Sequence, residues 1–431
     1  MKLLIKNGRV IDPDQQIDSI RDLLIEDGVI KDISPNIDSK DVIGIDATVV
    51  DAKGYFVMPG FIDLHVHLRD PGFTEKEDIE SGSRAAVRGG FTTIVAMPNT
   101  SPSADCAQII TYVQHRADEI GLVHVLQAGA ITKGQGGQAL SDMKKMFDAG
   151  CRAYSEDGKS VMDAELYRQG MEIAAKLGAP VFAHCEDKSL VAGGVMNKGK
   201  RADELGMKGI GNYTEDVIAA RDTILAGATG CQLHLCHCST KGSVDIIRYG
   251  KSVGVKVSGE VCPHHFILTD EDILCDDANY KMNPPLRSKE DVEELIKGLS
   301  DGTLEVISTD HAPHTGKEKS QSMASAPFGI IGLETAASLT YTALVKEGYL
   351  TPMQMAEKMS RNPAAILNIE KGSLAVGKAA DVTIFDPEAF YKISEADFAG
   401  KSKNSPFVGK EVFGKVVMTI NDGNIVYQES I

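Results

Sequence analysis

The middle of the chain alternates short apolar, often β-branched runs with stretches of helical periodicity, and this alternation limits the possible folds most. Parallel strands buried on both faces have such runs, and they are joined by crossovers, usually helices. Helices are predicted at 77–88, 104–120 and 164–177. Eight such units over about 300 residues predict an α/β fold, a (β/α)8 TIM-type barrel with insertions. The predicted strands are 60–67, 92–98, 123–130, 149–155, 180–184, 232–238, 255–261 and 305–309.

The two ends of the chain have a different, all-β pattern. Near the N-terminus, apolar runs precede Asn7-Gly8 and Asp27-Gly28, and both dipeptides are strong hairpin signals. Near the C-terminus, the apolar runs 416–420 and 425–427 are separated by a short polar turn. We therefore predict a small composite β-sandwich domain formed by residues 1–55 and 366–431, with the barrel in residues 56–365.

Composition excludes some classes of partner. The chain of 431 residues carries 45 Lys and Arg against 61 Asp and Glu, a formal net charge of −16. Nucleic acids and anionic membranes attract clusters of Lys and Arg, so we expect neither as a partner. Trp is absent and aromatic residues make up 6%, which disfavours stacking platforms for bases. A small anionic substrate remains compatible with this charge if one Arg lies near it.

The sequence also indicates a compartment. No apolar stretch approaches the ~18 residues that a spanning helix needs. Charge interrupts the N-terminal apolar run too early for a signal peptide. We therefore expect a cytoplasmic protein whose eight cysteines are free thiols.

Histidines and a carboxylate close several of the predicted strands. His65 and His67 end the first strand, and residues two apart on a strand face the same way. His184, His237 and Asp310 end later strands. In such barrels the active residues lie at the C-terminal ends of the strands. Imidazoles and carboxylates suit Zn²⁺, so the pattern predicts a metal site.

Four histidines exceed what one catalytic zinc usually takes, which leaves room for two ions with a bridging anion. The fourth strand ends at Glu156-Asp157, and Asp157 is the candidate bridge. A carboxylate that only caps a helix or a turn would give the same sequence. Cys236 and Cys238 would share the strand face opposite to His237, so a cysteine-based metal site is not favoured.

The assembled pattern resembles the amidohydrolase superfamily, and within it the type I dihydroorotases, over essentially the whole chain. The most specific stretches are 59–72 (PGFIDLHVHLRDPG) and 89–100 (GGFTTIVAMPNT). Related hydantoinases, dihydropyrimidinases and allantoinases usually carry a carboxylated Lys as the bridge, and no Lys ends the fourth strand here. Glu156 stands where relatives often have Asp, so which neighbour bridges stays open. The resemblance implies two zinc ions, one held by His65, His67 and Asp310, the other by His184 and His237, with Asp157 between them.

Arg69 lies two residues beyond His67 and is expected to share its face. A guanidinium binds a carboxylate through two hydrogen bonds, and dihydroorotate has a ring carboxylate that dihydrouracil and hydantoin lack. A salt bridge from Arg69 to Asp70 or Glu75 is the alternative, and the two asparagines below could simply cap turns. The substrate contacts implied by the resemblance are His67, Arg69, Asn99, Asn283, His314 and the backbone of Phe328 and Gly329, the last two in a loop that closes over the substrate.

The implied reaction is the reversible cyclisation of N-carbamoyl-L-aspartate to dihydroorotate in pyrimidine synthesis, with Asp310 as general base and then general acid. Two alternatives stay open. One is an allantoinase or hydantoinase, which the bridge and Arg69 would distinguish. The other is a non-catalytic homologue that serves as a partner of aspartate transcarbamoylase, although such proteins usually lose metal ligands. A homodimer is common in relatives and is expected here. We expect structural roles for His115, His124 and His234, and orienting roles near the site for His264, His265 and His311.

Overall fold

The computed structural model describes residues 2–38 and 47–429. Nineteen strands are assigned within these residues. They are β1 (Lys2–Asp12), β2 (Ile17–Glu26), β3 (Val29–Ser34), β4 (Ala47–Asp51), β5 (Phe56–Pro59), β6 (Phe61–Val66), β7 (Phe91–Ala96), β8 (His124–Gln127), β9 (Gly129–Ala130), β10 (Tyr154–Ser155), β11 (Val181–Ala183), β12 (Met196–Asn197), β13 (Gly209–Ile210), β14 (Leu233–Leu235), β15 (Val257–Val261), β16 (Val306–Ile307), β17 (Val382–Lys392), β18 (Glu411–Asn421) and β19 (Asn424–Gln428).

The α-helices lie mainly between the strands of the central region. Their bounds are Ile79–Arg88, Ala107–Ile120, Met143–Asp148, Ala164–Leu177, Lys188–Val191, Lys200–Glu204, Tyr213–Thr229, Lys241–Ser252, Pro263–Ile267, Lys289–Asp301, Gly316–Lys319, Ala336–Thr340, Pro352–Ala356 and Asn362–Leu367. Local sequence explains several starts: the side chains of Asp78, Asp163 and Ser288 each accept a hydrogen bond from a backbone N–H in the first turn. The three helices predicted from the sequence are present, and one of them has the predicted bounds.

The central strands are parallel and form two hydrogen-bonded sheets. β6, β7 and β8 form one, and β9, β10, β11, β14, β15 and β16 form the other in that order. Only Ala128 separates β8 from β9, so this segment pairs with β7 on one side and with β10 on the other. At the remaining edges Val66 pairs with His311, and the His67 N–H donates to the His311 carbonyl at 2.8 Å. All of these pairings are parallel, as in the predicted α/β fold.

Strands from both ends of the chain form a separate eight-stranded sheet in the order β19-β18-β17-β5-β1-β2-β3, with β4 paired to β1. Leu3, Ile5 and Val10 of β1 are buried in its apolar core with residues from the C-terminal strands. All eight strands are hydrogen-bonded as one sheet, branched at β1. The sandwich arrangement and the domain boundaries proposed from the sequence stay predictions.

The outer sheet continues directly into the first central strand. β5 pairs with β17 up to Pro59, the Gly60 N–H donates to the Asp381 carbonyl at 2.9 Å, and β6 begins at Phe61. Glycine is required at this joint, because a Cβ at position 60 would lie 2.2 Å from Thr92 Oγ1. The outer sheet therefore fixes where β6 begins, and of the first pair of site histidines His65 lies in β6 and His67 directly follows it.

The state of the cysteines and the apolarity of the helices complete the description of the fold. All eight cysteines are free thiols, as predicted. Among residues 2–38 and 47–429, no helix is long and apolar enough to cross a membrane.

Candidate active site

His65 near the carboxyl end of β6 and His67 just after the strand lie side by side. The ring centroids of His65 and His67 are 5.4 Å apart. His65 Nε2 lies 3.1 Å from Asp157 Oδ1, and His67 Nε2 lies 3.0 Å from Asp310 Oδ1. All four side chains are buried. The period of two along β6 thus brings both imidazoles to the same pair of carboxylates.

The other two predicted histidines complete the cluster. His184 Nδ1 and His237 Nε2 are 2.9 Å apart, and Asp157 Oδ1 lies 3.6 Å from the first and 3.8 Å from the second. Asp157 Oδ2 lies 3.6 Å from His67 Nε2, so this carboxylate stands between the two pairs of histidines. Glu156 turns the other way and accepts hydrogen bonds from the backbone and side chain of Thr132.

The donor set and its spacing fit a metal ion. Nitrogen and oxygen ligands at about 2.0–2.2 Å from a tetrahedral zinc lie roughly 3.3–3.6 Å apart, close to the separations above. His65 Nε2 and Asp157 Oδ1 are buried without a hydrogen-bond partner in the described part of the chain, an arrangement that is costly unless something else satisfies them. Three sets of converging candidate ligand atoms include His65 among the described residues. They are His65, His67 and Asp310; His65, Asp157 and His237; and His65, Cys236 and Glu260.

The electrostatics of the cluster keep its carboxylates ionised. Burial alone would raise the pKa of Asp310, but the facing rings of His65 and His67 hold it well below its usual range. Asp157 behaves in the same way: burial acts against the charge, whereas His65 and His237 lower the pKa strongly. Both carboxylates are therefore available as anionic ligands or proton acceptors at neutral pH.

Three residues of the site have left-handed backbone conformations that non-glycine residues rarely adopt. Their φ angles are 61° at Arg69, 35° at His237 and 47° at Asp310. Such conformations cost free energy and concentrate at functional sites. They let the chain turn sharply just after a central strand, which directs these side chains towards the cleft instead of along the strand.

The cleft above the cluster has a volume of about 200 Å³ and contains the predicted substrate contacts. On one wall Arg69 Nε donates to the Pro313 carbonyl at 3.2 Å, and His314 Nε2 donates to the Phe328 carbonyl at 2.8 Å. Burial, reinforced by the positive charge of Arg69, lowers the pKa of His314 to about 3, so this ring is neutral. The lining residues are His67, Arg69, Asn99, Asp157, Gly158, His184, His237, Asn283, Asp310, Ala312, His314, Phe328 and Gly329.

The two predicted asparagines make contacts with site residues. Asn99 Oδ1 accepts a hydrogen bond from His67 Nδ1 at 2.9 Å, and its Nδ2 donates to Asp157 Oδ2 at 3.3 Å. Asn283 Nδ2 donates to the carboxylate of Glu186. Neither side chain acts as a turn cap, because each is hydrogen-bonded inside the cleft.

Comparison with known proteins decides the family. Residues 54–243 match the family model described as dihydro-orotase-like, and residues 329–427 match the amidohydrolase family. Over the full length of both chains, the sequence is 48% identical to the dihydroorotase of Pelotomaculum thermopropionicum. It is 46% identical over 426 residues to that of Staphylococcus epidermidis, which covers 99% of each chain. The chain belongs to the dihydroorotase family.

Solved structures of hydantoinases share this fold. The L-hydantoinase (dihydropyrimidinase) from Arthrobacter aurescens superimposes with a TM-score of 0.88 and 26% identity, covering 100% of this chain and 96% of that one. The resemblance to the amidohydrolase superfamily and its dihydroorotases is thereby confirmed. For this dihydroorotase-family chain, the roles of individual site residues stay proposals that rest on the geometry above.

Sequence reasoning missed Glu260, the central carboxylate beneath the cluster. Glu260 is fully buried in β15 and accepts hydrogen bonds from His65 Nδ1 at 3.1 Å and His234 Nε2 at 3.0 Å. Ser308 Oγ donates to it at 2.6 Å. By binding Nδ1 of His65, it turns Nε2 of that ring towards Asp157. The available signal was a carboxylate next to the last residue of the predicted strand 255–261.

Glu186 was missed as well. It lies 3.9 Å from His184 Nε2, and its pKa is lowered to about 2: burial would raise it, but His184 and Asn283 outweigh that effect. The signal was its position two residues after a candidate ligand. His234, expected to be structural, lies fully buried between Ser258 and Glu260.

Proposed function

We propose that the chain is a dihydroorotase that interconverts N-carbamoyl-L-aspartate and (S)-dihydroorotate plus water, the cyclisation step of de novo pyrimidine synthesis, and that it uses two zinc ions. One observation carries the proposal: Arg69 lies in the wall of a cleft whose floor is the cluster of histidines and aspartates. A fixed cation beside a metal-binding cluster suits a small cyclic amide that bears a carboxylate.

We assign His65, His67 and Asp310 to one ion and His184 and His237 to the other, with Asp157 shared. The separations of 2.9–3.8 Å within the cluster support this assignment. When bound, zinc lowers the pKa of water from 15.7 to about 7 and polarises a carbonyl group. His65 is held by Glu260 and His67 by Asn99, so both rings are oriented before any ligand arrives.

Asp310 is the proposed general base and acid. Its carboxylate is ionised at neutral pH, since its pKa is held low by the two facing histidines, and it borders the cleft. In the ring-opening direction it accepts a proton from the attacking water at Oδ and returns it to the departing ring nitrogen. Arg69 binds the ring carboxylate, with Asn99 and Asn283 at the cleft edge and His314, Phe328 and Gly329 against the ring.

The proposal also covers the closure of the central sheet, the partners of the protein and its location. We infer that the parallel strands close into a (β/α)8 barrel, supported by the pairing of Val66 with His311. The substrate is a small molecule, and neither nucleic acid nor membrane is expected as a partner. The homodimer, an aspartate transcarbamoylase partner and the cytoplasmic location stay predictions.

A hydantoinase-type activity is the second candidate, because the hydantoinase structure with a TM-score of 0.88 shows that this fold accommodates uncharged rings. It ranks lower, since that protein is 26% identical and the dihydroorotases are 46–48% identical. Arg69 separates the two candidates, because an uncharged ring offers this guanidinium no carboxylate.

A ring-opening assay tests the proposal. Zinc-loaded protein of known metal content is given dihydroorotate, dihydrouracil, hydantoin and allantoin in parallel. We expect turnover of dihydroorotate alone, and a loss of at least ~30-fold in kcat/KM for the Arg69→Met variant, because a buried charge pair loses one partner. Arg84→Met, on an exposed helix face, is the matched control. Turnover of an uncharged ring in place of dihydroorotate would contradict the substrate assignment.

A further inference from the structure

A buried lysine lies behind the wall of the cleft that carries Phe328 and Gly329. Lys319 is the last residue of the short helix Gly316–Lys319, and only 8% of it is exposed. Its ammonium donates to the carbonyl of Gly329 at 2.8 Å, and to those of Lys281 and Pro327 at 3.2 Å each. An ammonium has three N–H donors, so all of them are used on backbone carbonyls.

These carbonyls belong to two segments that are far apart in sequence and line the same cleft. One segment contains Lys281 and, two residues later, Asn283; the other contains Phe328 and Gly329. The segments also contact each other directly. The Gly329 N–H donates to the Lys281 carbonyl at 2.9 Å, and the Lys281 ammonium donates to the Ala326 carbonyl at 2.5 Å. The same ammonium lies 4.4 Å from the centre of the Phe328 ring.

The backbone at Gly329 has little room to move. Its φ is +129°, and a Cβ there would lie 2.6 Å from the Ala312 side chain, which follows Asp310 closely in sequence. The Gly329 carbonyl accepts a second hydrogen bond, from Asn404 Nδ2 at 3.1 Å. A displacement of the 327–329 segment would therefore change the wall of the cleft.

Burying a cation is costly, and the partners of Lys319 given above are all neutral carbonyl oxygens. Burial first, and then the positive charge of Lys281, lower the pKa of Lys319 to about 7. A contact that only stabilised the fold could be made by an uncharged side chain. The unfavourable free energy of burying this cation is explained if the placement of the 281–283 and 327–329 segments matters for substrate binding.

We propose that Lys319 is a positioning residue: its ammonium joins the Lys281 and 327–329 segments and so sets Asn283, Phe328 and Gly329 against the bound substrate. This inference rests on the proposed function, because it concerns the same cleft. Lys319 lines neither the cleft nor the metal-binding cluster, so its effect is transmitted through the segments that it binds.

The test uses Lys319→Met, which keeps the aliphatic stem and removes the donors. Since displacement of binding groups weakens productive binding, we expect KM for dihydroorotate to rise about tenfold or more, with kcat within about threefold of wild type. Metal content should not change. Lys317→Met, exposed on the same helix, is the matched control and should leave both constants unchanged. Unchanged KM in Lys319→Met, or parallel loss of kcat and metal, would overturn the proposal.

A second variant and a hydrogen-exchange measurement test the same proposal. If Lys319→Met does not fold, Lys319→Gln is assayed instead; its shorter, uncharged amide has two N–H donors and cannot bind all three carbonyls, and its KM decides in the same way. Amide hydrogen exchange across residues 320–332 reports positioning without any turnover. Faster exchange in Lys319→Met than in Lys317→Met supports the proposal, and equal exchange overturns it. A wild-type protein inactive on dihydroorotate would refute the proposed function, while the exchange result would still stand.

Discussion

The core of the outer sheet and the carboxyl ends of the central strands are both closed to solvent, but the first buries apolar side chains and the second buries ionisable ones. In β1 the interior positions Leu3, Ile5 and Val10 are apolar, and apolar burial alone explains their presence. At the end of β6 and inside β15, His65 and Glu260 are just as inaccessible. Buried ionisable groups are costly unless they are paired, and His65 Nδ1 lies 3.1 Å from Glu260. The second region therefore depends on a network of paired polar groups, whereas apolar contact alone suffices in the first.

The largest effect is expected at Asp310, where a substitution should change turnover and leave stability nearly unchanged. Asp310→Asn removes the proton acceptor but keeps the shape of the side chain. Turnover of dihydroorotate should fall by about 10²–10⁴-fold, the usual contribution of a general base. Thermal stability should change little, and some metal should remain bound. Steady-state kinetics and metal analysis on one sample check this, with exposed Asp118→Asn as control. Near-normal turnover would exclude the assigned role.

A smaller effect is expected at the carboxylate beneath the cluster. Glu260→Gln leaves His65 Nδ1 with a weaker acceptor, so the ring is held less firmly. Metal affinity should fall about 10–100-fold, as for other carboxylates that orient ligating histidines. Competition with a chelator measures this, and exposed Glu271→Gln is the control. An unchanged affinity would show that Glu260 serves the strand packing alone.

The smallest effect belongs to the outer sheet. Ile384 is 1% exposed in β17 and pairs with Val57 of β5. Ile384→Val should lower the free energy of unfolding by about 0.5–1.5 kcal/mol through the lost methylene. Denaturant titration measures this loss, and kcat/KM should stay at the wild-type value. If kcat/KM fell instead, the outer sheet would be part of the catalytic machinery and the contrast drawn above would fail.

Much of the architecture could be predicted from local sequence, because a strand buried on both faces and a capped helix are local patterns. All eight central strands occur where they were predicted, but each is shorter than predicted, and the third is divided into β8 and β9. The spacing of His65 and His67 also sufficed to place both rings on one face. Membership of the dihydroorotase family followed from motifs that combine these signals.

The remaining features depend on pairing between distant strands. Glu260 meets His65 only because β15 and β6 face the same interior, which no local pattern reveals. The adjacent Asp157 and Glu156 are expected to point apart, but only the pairing of β10 with its neighbours decides which of them meets His65. Lys319 stands in a Lys-Glu-Lys stretch that is typical of a solvated helix face, yet its ammonium is surrounded by carbonyls.

Because a single glycine separates β5 from β6, the number of residues in this joint decides which side chains of the strand face the candidate site. The outer sheet holds Pro59 opposite Val382, and the two site histidines follow Pro59 at even steps along the chain. Inserting one residue at Gly60 would make both steps odd and turn Leu64 and Val66, instead of the histidines, towards the cleft. Inserting two would restore the facing but advance both rings by about 6.6 Å along the strand. The length of this joint is therefore as much a determinant of the metal-binding cluster as the histidines themselves.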